Sequence, residues 1–316
     1  GTFLAAGAPR EVENLQRRAA RAATPHDYDE LIDALIVFLG ALIRARARDI
    51  GATSVKYAML ANGRLSDRGA EKVAADSNAS LIAQLSAIIA REQFAGCTAV
   101  GIGSPGPLDL ESGTILASAN MPQIQNCQLV AELKKQFPKR AFALDNDANA
   151  ATLGEKFFGA GKTLGDFSVF TLGTGVGGGC IFNGRLQRGQ NGNFFEVGHV
   201  PVGYAMDLKP RRCGCGNLGC LETLSSATGI SASYLELSGR HLTAAEIADK
   251  ARAGDTAAAK AYAIAGHALG LAAATITQLM NLTDFVFTGG VAAAEALLKP
   301  DLERTYRAHT FALFHN

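Results

Sequence analysis

The chain carries one stretch of itself twice. Asp49-Ile-Gly51-Ala-Thr53 leads to Asn62-Gly63-Arg64-Leu65, and Thr171-Leu-Gly173-Thr174-Gly175 leads to Asn183-Gly184-Arg185-Leu186. In both copies Asn-Gly-Arg-Leu begins nine residues after the threonine of the loop, Thr53 or Thr174. Asn-Gly between apolar runs is a strong hairpin signal, because a type I′ turn needs positive φ at both central positions. Each copy reads as strand, tight Gly/Thr loop, strand, Asn-Gly turn, strand. Chance recurrence of a tetrapeptide is the alternative; the shared context and spacing favour duplication.

The loops have a chemical use. Without a Cβ, glycine lets backbone N–H groups approach phosphate oxygens, and threonine hydroxyls can donate beside them. Thr171 to Gly179 holds five glycines in nine residues, more than a turn needs. Asp49 in the first loop could hold Mg²⁺, directly or through water. Two ordinary hairpins with flexible tips are the bland reading. No Gly-x4-Gly-Lys-Ser/Thr occurs, so a Walker-type loop is not the mechanism. A third glycine loop, Thr288-Gly289-Gly290, follows an apolar strand and precedes an alanine-rich helix. Such a helix start suits an anion or nucleotide, although this connection is common in α/β proteins.

A second constraint is a cluster of soft ligands. His199, in Glu196-Val-Gly-His199, is followed by Cys213, Cys215 and Cys220, and Glu222 comes directly after the cluster. Four nitrogen and sulfur donors are what tetrahedral Zn²⁺ takes in a structural site. A disulfide or idle thiols are the alternatives. Six cysteines in 316 residues with no visible export signal point to a reducing cytoplasm, where disulfides are uncommon. Cys97, Cys127 and Cys180 stand singly among apolar neighbours and read as core residues.

Ala141-Phe-Ala-Leu-Asp145-Asn146-Asp147 reads as a strand running into a helix, with Asn146 and Asp147 at the junction. Asp147 either caps that helix or points into a cleft and takes a proton from a substrate hydroxyl. Asn146 could bind neighbouring hydroxyls, since its amide both donates and accepts. Ser104-Pro105-Gly106-Pro107 ends an earlier strand in a stiff loop suited to one wall of a small-ligand pocket, with Gly106 lining it. Length allows two lobes. A net charge of +1 gives no global reason to expect nucleic acid or a membrane surface. The apolar run from Leu31 to Ile43 is too short to span a bilayer.

Together these segments resemble the ROK family (repressor, open reading frame, kinase) from about Arg48 to Asn316. The resemblance rests on Asp-Ile-Gly-Ala-Thr at 49–53, Ser-Pro-Gly-Pro at 104–107, Asn-Asp-Ala-Asn at 146–149 and Gly-Thr-Gly-Val-Gly-Gly-Gly at 173–179. Glu-Val-Gly-His at 196–199 and Cys-Gly-Cys-Gly-x2-Gly-Cys-Leu-Glu at 213–222 are the most specific of the set. The resemblance implies an α/β, two-lobed, actin-like ATPase (ribonuclease H-like) fold with a duplicated hairpin and phosphate-loop core. It implies a 48–145 small lobe holding the first phosphate loop and a 146–316 large lobe holding the rest. Many members move the ATP γ-phosphate to a hexose or N-acyl-hexosamine hydroxyl, usually O6. By that resemblance Asp147 is the general base. Gly106, Asn146, Glu196, His199 and Glu222 bind the sugar, and a structural zinc on His199, Cys213, Cys215 and Cys220 shapes that site. Asp49, Gly51, Thr53, Gly173, Thr174 and Gly175 face the phosphates and Mg²⁺, and Gly289 and Gly290 lie near the adenosine. A cytoplasmic homodimer is the usual form.

Three departures stand out. Phe194 and Phe195 precede Glu196, where the family commonly has a small residue, often glycine. Arg44-Ala-Arg-Ala-Arg48 leads into Asp49, awkward for a buried central strand. The family also normally continues past the position of Asn316 with a glycine-rich turn and a closing helix.

Residues 1–47 have no counterpart in the kinase core and read as a helical extension. Val12 to Ala23 reads as one helix, with a disordered extension as the alternative. A second runs from the Thr24-Pro25 cap to about Arg44, its apolar face available to pack where the closing helix would lie. This extension is short and balanced in charge for a DNA-reading domain. A kinase is therefore favoured over a sugar-responsive repressor, with a glucose substrate the default. An N-acetylglucosamine or N-acetylmannosamine kinase, or a catalytically silent sugar sensor, is the alternative.

Overall fold

The computed structural model describes residues 34–39, 54–61, 64–118, 121–190 and 192–314. Two compact units divide them. The first holds the described residues up to Thr163 together with Arg185–Phe194. The second holds Leu164–Gly184 and the described residues from Phe195 onward.

In the first unit a five-stranded sheet runs in the order β3-β2-β1-β4-β7. Its strands are β1 (Ala34–Leu39), β2 (Ser54–Ala61), β3 (Arg64–Lys72), β4 (Ala99–Ser104) and β7 (Ala141–Asn146). Strand β2 is antiparallel to both of its neighbours, β1 and β3; β1, β4 and β7 run parallel. A two-residue ladder, β5 (Leu108–Asp109) with β6 (Thr114–Ile115), follows the Ser-Pro-Gly loop. Helix α1 (Asn78–Ile89) starts at Ser77, whose hydroxyl accepts from Ser80 N in a reciprocal capping box. Its apolar residues Leu81, Leu85 and Ile88 recur at helical spacing and pack into one core with Val55, Val100, Ile102, Phe142 and Leu144. Helices α2 (Leu129–Gln136) and α3 (Asp147–Phe158) follow. The unit also takes in β10 (Arg185–Leu186).

The strand at 34–39 corrects the reading of residues 25–44 as a helix. Ala-Leu-Ile-Val-Phe-Leu is a short continuous apolar run, the pattern that reads alike as buried helix or buried strand. Here its backbone sits between antiparallel β2 and parallel β4, so it cannot stand in for a closing helix. The central position of the sheet goes to an apolar segment. The expected helix over 12–23 and Asp49, Gly51 and Thr53 lie outside the described residues. Helix α3 lies in the same unit as the strand that leads into it, and the second unit takes up the described chain at Leu164.

The second unit is built on β8 (Phe167–Leu172), antiparallel to β9 (Val176–Phe182) and parallel to β11 (Phe285–Thr288). Its helices are α4 (Glu222–Ser225), α5 (Ala227–Ser238), α6 (Ala244–Arg252), α7 (Thr256–Met280) and α8 (Glu295–Ala308). Asn183 and Gly184 have φ of 52° and 70°, the left-handed pair the Asn-Gly turn demands. Among the described residues α7 alone is long and apolar enough to cross a membrane. Its inward face (Ala261, Tyr262, Ala265, Ala268, Leu269, Ala272) is buried, as in a core helix. Gly270 lets α8 approach: a Cβ there would lie 2.6 Å from the Leu302 carbonyl oxygen. Cys97, Cys127 and Cys180 are buried, as expected, and burial pushes the Cys180 thiol up to about 12.

Candidate active site

In the first unit the sheet brings the Ser-Pro-Gly loop and the Asn-Asp junction together. Ser104 and Asn146 pair as the last residues of parallel β4 and β7. Both loops therefore leave the carboxyl ends of adjacent parallel strands, the edge where α/β sheets bind ligands. A Cβ on Gly106 would lie 3.9 Å from Asn146 Nδ2. Asn146 is the N-cap of α3: its Oδ1 accepts from Ala148 N at 2.8 Å and Asn149 N at 3.2 Å. Capping is thus the work of Asn146, and Asp147 is the first helical residue, its Oδ1 accepting from Ala148 N at 2.9 Å. With Oδ1 occupied, Asn146 can offer a ligand its Nδ2 donors.

Sequence reasoning missed the layer beneath. Asp145 is 5% exposed and accepts from Asn146 N (2.8 Å) and Asn149 Nδ2 (2.9 Å) through Oδ1. Its Oδ2 accepts from Arg188 Nη2 (2.7 Å) and Nε (3.1 Å). The carboxylate fixes the Asn149 amide, because the flipped orientation would set oxygen against oxygen. A buried carboxylate at a strand end needs a cation. That need was legible in Asp145, but its supplier 43 residues on was not.

The second unit holds the second Gly/Thr loop and the histidine-cysteine cluster. Gly173, Thr174 and Gly175 connect β8 to β9, with Gly173 N donating to Gly175 O at 3.0 Å. The start of α5 secures this loop: Ala227 N donates to Gly173 O at 2.8 Å and Thr228 Oγ1 to Thr174 O at 3.0 Å. Gly289 has φ 101°, and a Cβ there would strike the Leu172 carbonyl, so the Gly289-Gly290 loop lies against the base of the Gly/Thr loop. The Glu196-to-His199 turn packs beside it, for a Cβ on Gly198 would run into the Val176 carbonyl oxygen.

His199, Cys213, Cys215 and Cys220 converge, each offering one ligand atom within 4.8 Å of the others. Zn–S bonds of about 2.3 Å and a Zn–N bond of about 2.0–2.1 Å at the tetrahedral angle set two sulfurs about 3.8 Å apart and sulfur and nitrogen about 3.6 Å apart. Cys215 Sγ and Cys220 Sγ lie 3.7 Å apart, and Cys213 Sγ and His199 Nδ1 lie 3.6 Å apart. The donor set and its spacing fit one tetrahedral ion, and all three cysteines are unbridged. With Nδ1 turned to the cluster, Nε2 faces Glu196, 4.0 Å from its Oε2. Although the Glu196 side chain is 52% exposed, desolvation raises its carboxyl above the ordinary range; His199 opposes this, Glu222 adds to it, and solvent screens its open side.

Glu222 joins the two features. Its Oε1 lies 3.6 Å from Cys213 Sγ, and its Oε2 accepts from Val176 N at 3.0 Å. The carboxylate next to the cysteine cluster therefore also holds the end of the Gly/Thr loop at Val176, a link the spacing of the motifs did not reveal. Phe195 takes φ 69° where the family commonly has a small residue, and its ring packs edge-on against Phe170 at 6.3 Å, across Gly178. That ring is occupied with the interior of its own unit.

The model of the ROK family matches residues 46–315. The chain belongs to the ROK family. Its fold is accordingly the α/β, two-lobed, actin-like ATPase fold. A ROK relative, the glucokinase of Thermotoga maritima, is 38% identical over 213 residues, 63% of this chain and 66% of that enzyme. The DNA-binding transcriptional dual regulator NagC of Escherichia coli is 30% identical over 225 residues, 68% of this chain and 54% of the regulator. Among solved structures, the ROK glucokinase of Streptomyces griseus in complex with glucose and AMPPNP gives a TM-score of 0.69 at 25% identity, covering 87% of this chain and 89% of that one. The chain thus spans about two thirds of the Thermotoga enzyme and about half of the regulator.

Proposed function

We propose that the protein is an ATP-dependent sugar kinase that moves the γ-phosphoryl group to a hexose hydroxyl, O6 of glucose in the first instance. The observation that carries this reading is the second unit. A glycine-rich phosphate loop and a turn bearing Glu196 and His199 are built into one body, joined by Glu222. The similarity to glucokinases supports it.

Asp147 is the general base: its carboxylate takes the proton of the sugar hydroxyl as that oxygen attacks the γ-phosphorus and ADP departs. Phosphoryl transfer is otherwise positioning and charge neutralisation. Gly106, Asn146, Glu196, His199 and Glu222 hold the sugar. Gly173, Thr174 and Gly175, with Asp49, Gly51 and Thr53, receive the phosphates and Mg²⁺, and Gly289 and Gly290 flank the adenosine. His199, Cys213, Cys215 and Cys220 hold a structural zinc, whose contribution is to fix the His199 ring so that Nε2 is presented to the sugar. Unbridged thiols suit a reducing cytoplasm, and the working form is a homodimer.

The similarity to NagC favours a second reading, a sugar-responsive repressor. A coupled assay of ADP release with glucose, mannose and N-acetylated hexosamines separates the two and names the sugar. Turnover that is lost in Asp147→Asn supports the kinase. Absence of turnover on every sugar, with tight salt-dependent binding to an operator duplex, supports the repressor.

A further inference from the structure

We infer that Arg188 is a positioning residue for phosphoryl transfer, acting on Asp147 through Asp145; this rests on the reading of Asp147 as the base. The pair is well enclosed, with side-chain exposures of 19% for Arg188 and 7% for Asp145. A charge pair so placed survives only if its geometry is good and its remaining valences are filled. The carboxylate meets both conditions. Arg188 presents Nη2 and Nε to one oxygen of Asp145, and the other oxygen takes Asn146 N and Asn149 Nδ2.

The consequence falls on the residue between these anchors. Asp145 holds the peptide N–H of Asn146, and Asn146 in turn holds Ala148 N and Asn149 N. Asp147 is thereby fixed from both sides, with its own carboxylate on Ala148 N. A simple cap would need none of this: Asn146 alone satisfies the first N–H groups of α3. The extra layer sets where the Asp147 carboxylate stands. Arg188 brings to it the loop between the Asn183-Gly184 turn and Glu196, so that loop carries a part in turnover as well as a connection.

A carboxylate displaced by about 1 Å can lose on the order of 100-fold in rate without losing its ligands. Removing the guanidinium should therefore lower kcat and leave KM for ATP in place, while KM for sugar moves less than kcat because only Asn146 among the sugar ligands is anchored to Asp145.

The test is steady-state kinetics, with the sugar identified by the substrate panel and Mg·ATP, on Arg188→Lys, Arg188→Ala and Asp145→Asn. Asp147→Asn serves as the reference, and folding is checked by near-ultraviolet circular dichroism. The expected result is a kcat loss of at least about 10-fold in Arg188→Ala and Asp145→Asn. KM for ATP should stay within about twofold, KM for sugar should change less than kcat does, and Arg188→Lys should be intermediate. Millimolar guanidinium ion, but not tetramethylammonium, should restore part of the kcat of Arg188→Ala. If that variant does not fold, the two near-isosteric variants decide. Wild-type kcat in folded Asp145→Asn and Arg188→Lys overturns the proposal, and so does a loss expressed mainly in KM. Unfolding of both assigns the pair to stability alone and overturns it as well. An inactive Asp147→Asn beside a fully active Asp145→Asn refutes the positioning role only; an active Asp147→Asn refutes the base assignment itself.

Discussion

Replacing Glu222 by alanine should weaken nucleotide binding, although the residue belongs by sequence to the cysteine loop. The Val176 N–H, at the foot of the phosphate loop, loses the carboxylate oxygen it meets at 3.0 Å, and Val176 is only 5% exposed. A buried donor left without its charged acceptor costs about 1–3 kcal/mol. If the whole of that cost appears as loosening of the loop, nucleotide affinity falls by about 5–150-fold at about 1.4 kcal/mol per decade. If it appears as global stability, the melting temperature falls by roughly 2–4 °C per kcal/mol. Glu222→Gln keeps an acceptor of the same reach and should recover most of either loss. Calorimetric titration of AMPPNP into both variants, with thermal unfolding alongside, separates the two outlets. Unchanged nucleotide affinity together with an unchanged melting temperature in Glu222→Ala would refute the link.

The remaining predictions address single contacts. His199→Ala should lose zinc and sugar affinity together while nucleotide binding survives; metal analysis and calorimetry check this, and full zinc occupancy would show the ligand assignment to be wrong. Gly198→Ala places a methyl against the Val176 carbonyl oxygen and should destabilise the protein by about 3 kcal/mol or more, read by denaturant unfolding. Gly270→Ala brings a methyl to 2.6 Å from the Leu302 carbonyl oxygen and should cost about 1–3 kcal/mol by the same assay. Cys180, raised to about 12 by burial, stays protonated at neutral pH and should resist alkylation in the native protein up to strongly alkaline pH.

What the sequence disclosed follows the range of the interactions involved. The Asn183-Gly184 turn is a local requirement on two φ angles, so composition alone announced it. The cysteine spacing is nearly local, and His199 joined it because a four-donor set needs a fourth member. Residues 34–39 failed as a helix because a six-residue apolar run carries no period that separates helix from strand; their partners Val55–Leu60 and Ala99–Gly103 decide. Asp145 and Arg188, and likewise Glu222 and Val176, meet only after folding, 43 and 46 residues apart along the chain. Phe195 shows the opposite case, a departure visible in the sequence whose meaning came from packing. Its ring is placed against Phe170, and the backbone accepts a left-handed φ to put it there.

The central claim is that Asp147 takes the proton from a sugar hydroxyl. Single-turnover phosphorylation by Asp147→Asn, saturated with Mg·ATP and sugar, tests it most directly, because chemistry is then read apart from binding and release. The rate of transfer should fall by about 10²-fold or more, as removal of a general base does, with both ligands bound as tightly as by the native protein. A transfer rate equal to the native one would contradict it.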